Sequence, residues 1–237
     1  AGVDPLRDHP PLKNNLNQDI KTTRMSGLFF GQYMAEYCVQ HMLNRERYHQ
    51  DLQRYQKKSE WMMERRGYRS LKDLRIGILG FGNIGAEVAR VLREGFLVSH
   101  LSIYKHQKLP SSPFDIYTSI DDFLSADQYD YVINTLPSTK ETIHLLTADR
   151  LKQLSSSPCF INVGRGTVIK TSTLVESLSN HVFSGFIGDV FEEEPLPSSS
   201  PLWQLPSVTI TPHISAISYP TDIVDVFSKN YALYQSK

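Results

Sequence analysis

The hexapeptide Gly80-Phe81-Gly82-Asn83-Ile84-Gly85 follows directly on the apolar run RIGIL (75–79) and leads into a helical pattern, EVARVL (87–92). In a strand–turn–helix setting, glycines at these spacings have separate uses. Gly80 allows the tight turn, Gly82 lets the backbone approach a pyrophosphate, and Gly85 lets helix and strand pack closely. The helix that opens at Asn83 and Ile84 then presents free N–H groups and a partial positive charge to an anion. This context predicts a dinucleotide-binding turn, and with it a sheet whose first strand is RIGIL.

The rest of the chain is consistent with such a sheet. Further apolar runs at 100–104, 130–135, 159–163, 183–190 and 207–211 are separated by helical patterns such as those at 147–154 and 172–178. Continuous apolar strands alternating with helices predict parallel pairing, because parallel strands need crossover connections and are covered on both faces. The expected fold is α/β: a doubly wound, Rossmann-type sheet of six strands, with a truncated second substrate domain. The expected division is a substrate-domain remnant at 1–28, a dinucleotide-binding domain at 29–214, and a C-terminal helix at 215–237 returning to the substrate domain. A length of 237 residues suits one large domain plus a fragment.

Charge and apolar content narrow the function. The 25 Lys and Arg residues balance the 25 Asp and Glu residues, leaving no net field to attract a phosphate backbone. No apolar run approaches the roughly 20 residues that span a bilayer. Nucleic acid and membrane partners are not expected. Cys38 and Cys159 show no metal-ligand spacing, so no metal is expected and a reducing, cytoplasmic compartment fits.

Met34, Cys38, His41, Arg45, Tyr48, Leu52 and Tyr55 form a stripe at helical spacing. One helix from Gly31 to Gln56 would run about 39 Å, longer than one small domain needs. A core helix is the plainer reading, and the excess length predicts a homodimer contact through the 31–56 helix. His41, on that stripe, reads as a core or interface residue rather than a ligand.

An acidic residue about 20 positions beyond the glycine turn would bind the ribose diol of NAD. None is present. The second strand ends in Leu101-Ser102-Ile103-Tyr104-Lys105-His106, so Ser102 and Lys105 are the expected neighbours of a 2′-phosphate. NADP is the expected cofactor, with NAD the alternative; Lys105 as a solvated loop charge is the plainer reading.

Three polar residues follow predicted strands at the edge where such folds bind ligands: Arg165, Glu194 and His213. Hydride transfer to a carbonyl places negative charge on its oxygen and needs a proton donor with a pKa of about 7, as histidine supplies. A carboxylate on the other ring nitrogen fixes the ring and favours the imidazolium, a role open to Glu194. The planar fork of Arg165 suits a substrate carboxylate and a developing oxyanion. Singly, His213 also reads as a loop histidine, Glu194 as one of three exposed glutamates and Arg165 as a surface cation.

The chain resembles the D-isomer-specific 2-hydroxyacid dehydrogenases in its GFGNIG turn (80–85), NTLPSTKET (134–142), INVGRGTVI (161–169), GDVFEEEPLP (188–197) and TPHISA (211–216), in family order. The EPLP, SPLW and TPHI run (194–214) is most similar to the glyoxylate/hydroxypyruvate reductase A branch. The resemblance implies an oxidoreductase that reduces a small 2-keto acid with NAD(P)H, with Arg165, Glu194 and His213 as the catalytic residues. It places Leu136 and Pro137 at the nicotinamide, Thr142, Val163 and Asp189 along the cofactor, and Ala1 and Gly2, in AGVD, at the substrate. It also implies that about a quarter of a full-length member lies upstream of Ala1. Ile103 stands where an arginine is usual, and Gly164 where Ala or Ser is more common. Two other functions fit the same residues: a dinucleotide-sensing, corepressor-like binding protein, and an inactive fragment of the reductase.

Overall fold

The computed structural model describes residues 28–64, 67–107, 111–126 and 128–236. Two helices, α1 (Leu28–Glu46) and α2 (His49–Lys57), precede the sheet. Strand β1 (Arg75–Leu79) enters α3 (Asn83–Arg90), which continues as a π-helical turn over Val91–Gly95. The chain then runs through β2 (His100–Tyr104), β3 (Asp115–Tyr117), α4 (Ile120–Ala126), β4 (Tyr131–Asn134), α5 (Ala148–Leu151) and β5 (Cys159–Asn162). After β5 come α6 (Thr171–Ser179), β6 (Gly185–Gly188), β7 (Val208–Ile210) and α7 (Pro220–Gln235).

The seven strands form one sheet in the order β3-β2-β1-β4-β5-β6-β7, and every neighbouring pair is parallel. The strand order reverses between β1 and β4, and ligands bind at the carboxyl edge of such a switch point. Alternation along the strands feeds two cores. Ile76, Ile78, Ile133 and Ile161 pack with Cys38 and Met42 of α1 and with Val88 and Leu92. On the other face, Leu79, Val132 and Phe160 pack with Phe123, Leu174 and Phe183. No described helix is long and apolar enough to cross a membrane.

Seven strands replace the expected six. The additional one, β3, is a three-residue edge strand that pairs Asp115, Ile116 and Tyr117 with Ser102, Ile103 and Tyr104. It emerges from Ser111-Ser112-Pro113, where loop chemistry hides so short a run.

The helix expected over Gly31–Gln56 is two helices. Tyr48 takes a left-handed φ of 55° between them, and its hydroxyl donates to the Gly67 carbonyl (2.6 Å). The break follows the point where α1 reaches the amino edge of the sheet: the Arg45 guanidinium donates to Ser184 (3.0 Å to Oγ) and Glu46 accepts from Tyr131 Oη (2.8 Å). The first half of the stripe therefore serves the chain's own core, whereas α2 buries no residue and Leu52 is 43% exposed. His41 is partly buried beside Tyr37, ring centroids 4.3 Å apart, and burial lowers its pKa.

Candidate active site

The glycine turn has the geometry that its sequence predicts. Gly80 has a φ of 101°, a conformation that L side chains rarely adopt. A Cβ on Gly85 would lie 2.1 Å from the Gly80 carbonyl oxygen, so α3 packs against the end of β1 only without a side chain there. A Cβ on Gly82 would meet nothing within 4 Å. Gly82 is also the N-cap of α3, and no side chain caps the helix. The helix opens at the exposed Asn83 and the half-buried Ile84, and the first amides of a helix have no intrahelical acceptor and suit an anion.

Along the carboxyl edge, the strand order ranges the other groups beside this turn. Lys105 is the first residue beyond β2; its amide donates to the Tyr117 carbonyl (2.9 Å), and its ammonium lies 6.0 Å from the centroid of the Phe81 ring. Ser102 does not share that position. It is 4% exposed and paired with Gly77 and Asp115 in the middle of β2. Two residues of β2, Ile103 and Tyr104, separate it from the carboxyl edge. Lys105 and the exposed His106 lie beyond it, at the carboxyl edge.

At β4 and β5 the edge is built by two buried asparagines facing each other in register. Asn134 Nδ2 donates to Asn162 Oδ1 (2.8 Å), Leu136 N donates to Asn134 Oδ1 (3.1 Å), and Asn162 Nδ2 donates to the Arg165 carbonyl (3.3 Å). This amide pair fixes the Leu136–Pro137 loop and the Arg165 turn relative to each other. It was not among the expected site residues, although both runs carry the same sign: an Ile-Asn pair closing an apolar strand, VIN and FIN. Leu136 and Val163 are buried, and Pro137 is exposed. The Thr142 hydroxyl closes its own loop, donating to the Pro137 carbonyl (2.6 Å) and accepting from Thr139 N (2.8 Å). A Cβ on Gly164 would sit 2.7 Å from the Leu136 carbonyl oxygen, which accounts for glycine at that position.

Arg165, Glu194 and His213 follow β5, β6 and β7, three adjacent strands. Arg165 is half-buried, and its Nη1 donates to the Gly164 carbonyl (2.7 Å). Glu194 Oε1 accepts from Phe191 N (2.9 Å) and Oε2 lies 2.8 Å from His213 Nδ1. Because a carboxylate only accepts, Nδ1 is the donor and Nε2 is left for a substrate. His213 has a φ of 56°.

Asp189, an expected cofactor contact, is tied into the turn that carries His213. It is fully buried, and its carboxylate accepts from Thr211 Oγ1 (2.5 Å), Ile214 N (2.9 Å) and Ser215 N (2.9 Å). Its carbonyl accepts from His213 N (3.0 Å). These bonds fold the His213 turn around the carboxylate, so the group faces inward. Thr211 uses its one hydroxyl proton on Asp189, so Tyr37 Oη donates to Thr211 Oγ1 (2.7 Å), and burial keeps that phenol neutral by raising its pKa. Ala1 and Gly2 lie outside the described residues. Among those described, no three His, Cys, Asp or Glu side chains are grouped to hold a metal ion.

The model of the D-isomer specific 2-hydroxyacid dehydrogenase NAD binding domain matches residues 39–215. The chain belongs to this dehydrogenase family. Among solved structures, it is similar to a D-isomer specific 2-hydroxyacid dehydrogenase from Xanthobacter autotrophicus in complex with NADPH (29% identity, TM-score 0.85, covering 100% of this chain and 94% of that one). An NADPH-dependent glyoxylate/hydroxypyruvate reductase from Sinorhizobium meliloti, in complex with NADP and sulfate, has 28% identity and a TM-score of 0.84, covering 100% of this chain and 73% of that one. A family protein from Aeromonas salmonicida has 33% identity and a TM-score of 0.86, covering 99% of this chain and 73% of that one. In this dehydrogenase fold the glycine turn, the asparagine pair and the Glu194–His213 pair all lie on one edge of the sheet.

Proposed function

We propose that the protein reduces a small 2-keto acid of the glyoxylate or hydroxypyruvate type to its 2-hydroxy acid with NADPH. The observation that carries this reading is the 2.8 Å Glu194–His213 bond, one strand from Arg165 on the edge that bears the glycine turn. When bound, the reduced nicotinamide supplies the hydride that adds to the carbonyl carbon. Glu194 holds Nδ1, and Nε2 of His213 delivers the proton to the carbonyl oxygen. Arg165 pairs with the substrate carboxylate and offsets the charge that develops on that oxygen. Likeness to the two relatives solved with NADPH or NADP supports the same reading, as does the absence of a carboxylate over Tyr104–Gln107.

The experiment is loss of absorbance at the reduced-nicotinamide band when the protein is mixed with NADPH and a panel of 2-keto acids; no loss with any of them rejects the reading. NADPH is expected to bind more tightly than NADH, and Lys105→Asp to reverse the order through repulsion of the 2′-phosphate. Fluorescence titration with each cofactor checks this, and tighter NADH binding by the wild type would exclude the NADP assignment.

The reading includes a homodimer that uses the exposed end of the helical stripe, and a last helix that returns to the substrate domain. Replacing Leu52 and Tyr55 by Glu is then expected to give a monomer in light scattering. A wild type that is already monomeric at micromolar concentration would show that α2 makes no such contact.

A further inference from the structure

The run Glu192-Glu193-Glu194 makes the same attachment twice, in two directions. Glu194 holds the Phe191 amide with one oxygen and His213 with the other. Glu192 Oε1 lies 3.0 Å from His144 Nε2, and Oε2 accepts from Thr171 N at the start of α6 (2.7 Å). Partial burial opposes ionisation of Glu192, but the Thr171 and His144 bonds outweigh it and hold its carboxyl below the usual range.

The two histidines also share a backbone conformation: φ is 52° at His144 and 56° at His213. A non-glycine residue in that region is held there by its surroundings. His144 is held by its own amide, which donates to the Thr167 carbonyl (2.7 Å), and by its ring on Glu192. The loop it ends begins at Leu136 and Pro137, which the family resemblance places at the nicotinamide.

We infer that the His144–Glu192 pair is a clasp that sets the nicotinamide-lining loop against the turn carrying Glu194, and so positions His213 indirectly. The inference rests on the proposed function for its kinetic consequence, but not for its geometry. His144 and Glu192 are positioning residues: neither exchanges a proton with substrate. The side chains are 36% and 32% exposed, and ion pairs of that exposure contribute little to stability. What the clasp contributes is relative placement, and errors of about 1 Å in placement cost reaction rate steeply.

The test compares wild type, His144→Ala and His144→Gln. Glutamine is chosen because its amide still offers a donor to Glu192. With NADPH and glyoxylate, His144→Ala is expected to lower kcat about tenfold and to raise KM for NADPH, with an unchanged thermal midpoint. His144→Gln is expected to recover most of both. Long-range nitrogen–proton NMR of the histidine rings gives a readout that needs no turnover: the Nδ1–H signal of His213 should broaden in His144→Ala and persist in His144→Gln. Wild-type kinetics and an unchanged His213 signal in His144→Ala would overturn the inference, as would equal damage from both substitutions. A wild type that reduces no keto acid, but whose His213 signal still responds to His144→Ala and not to His144→Gln, would reject the reductase reading and uphold the clasp.

Discussion

Replacing His213 by alanine is expected to lower kcat for keto-acid reduction by about 10²- to 10⁴-fold, the range in which a positioned general acid contributes. NADPH affinity should stay nearly unchanged. The reason is the division of labour along the sheet edge: the phosphate turn follows β1, whereas His213 follows β7, at the far edge of the sheet. The turn that carries His213 is held by bonds from its backbone and from Thr211 to Asp189, none of which uses the imidazole. Removing the ring therefore removes the acid and leaves its support. Arg165→Ala should lower kcat and also raise KM for the keto acid, because its guanidinium is assigned both to the carboxylate in the ground state and to the oxyanion in the transition state. Glu194→Gln should be milder than either, since the amide can still offer an oxygen to Nδ1. Steady-state kinetics beside cofactor titration separates these effects. Wild-type rates in all three variants would remove the enzyme reading and leave dinucleotide sensing in its place.

How much of this site the residues themselves announced depended on how local the cause was. The glycine turn was legible because its requirements, a positive φ at Gly80 and no room for a side chain at Gly85, are written in one residue type. The placing of Arg165, Glu194 and His213 on one edge was legible because each follows an apolar run that forms a strand. Assignments that depend on where a strand ends were not legible to the residue. Ser102 looked like an edge residue until β1 and β3 set its register two positions inside. The break after Glu46 has no glycine or proline to mark it; it comes from the limit of the sheet beneath α1. Asp189 stands in a motif that implies cofactor, and its hold on the His213 turn is a contact that the motif does not announce. The asparagine pair and the His144–Glu192 bond join segments 28 and 48 positions apart, contacts that no periodicity reports.

The amino edge of the sheet offers the complementary experiment, in which stability changes and chemistry does not. Glu46, 8% exposed, ends α1 with its carboxylate between two partners. Oε1 accepts from the buried Tyr131 hydroxyl (2.8 Å) and from Arg69 Nη2 (2.9 Å), and Oε2 accepts from Arg69 Nε (3.0 Å). Arg69 continues the network to Asp130, whose other oxygen accepts from Arg75 N (2.8 Å). The cluster thus fastens α1 to β4 and β1 at the end opposite to the catalytic groups. Glu46→Ala leaves the buried Tyr131 hydroxyl without its acceptor and the half-exposed Arg69 with Asp130 alone, a change expected to cost about 2 kcal/mol. Tyr131→Phe removes one donor while the carboxylate keeps Arg69, and should cost about 1 kcal/mol. In urea the midpoint should fall more for Glu46→Ala than for Tyr131→Phe, with the slope m unchanged in both. Below the unfolding transition, both variants should keep wild-type kcat, since neither side chain reaches the carboxyl edge. Wild-type midpoints in both variants would show that α1 is held by its apolar face alone, with the carboxylate adding nothing to the attachment.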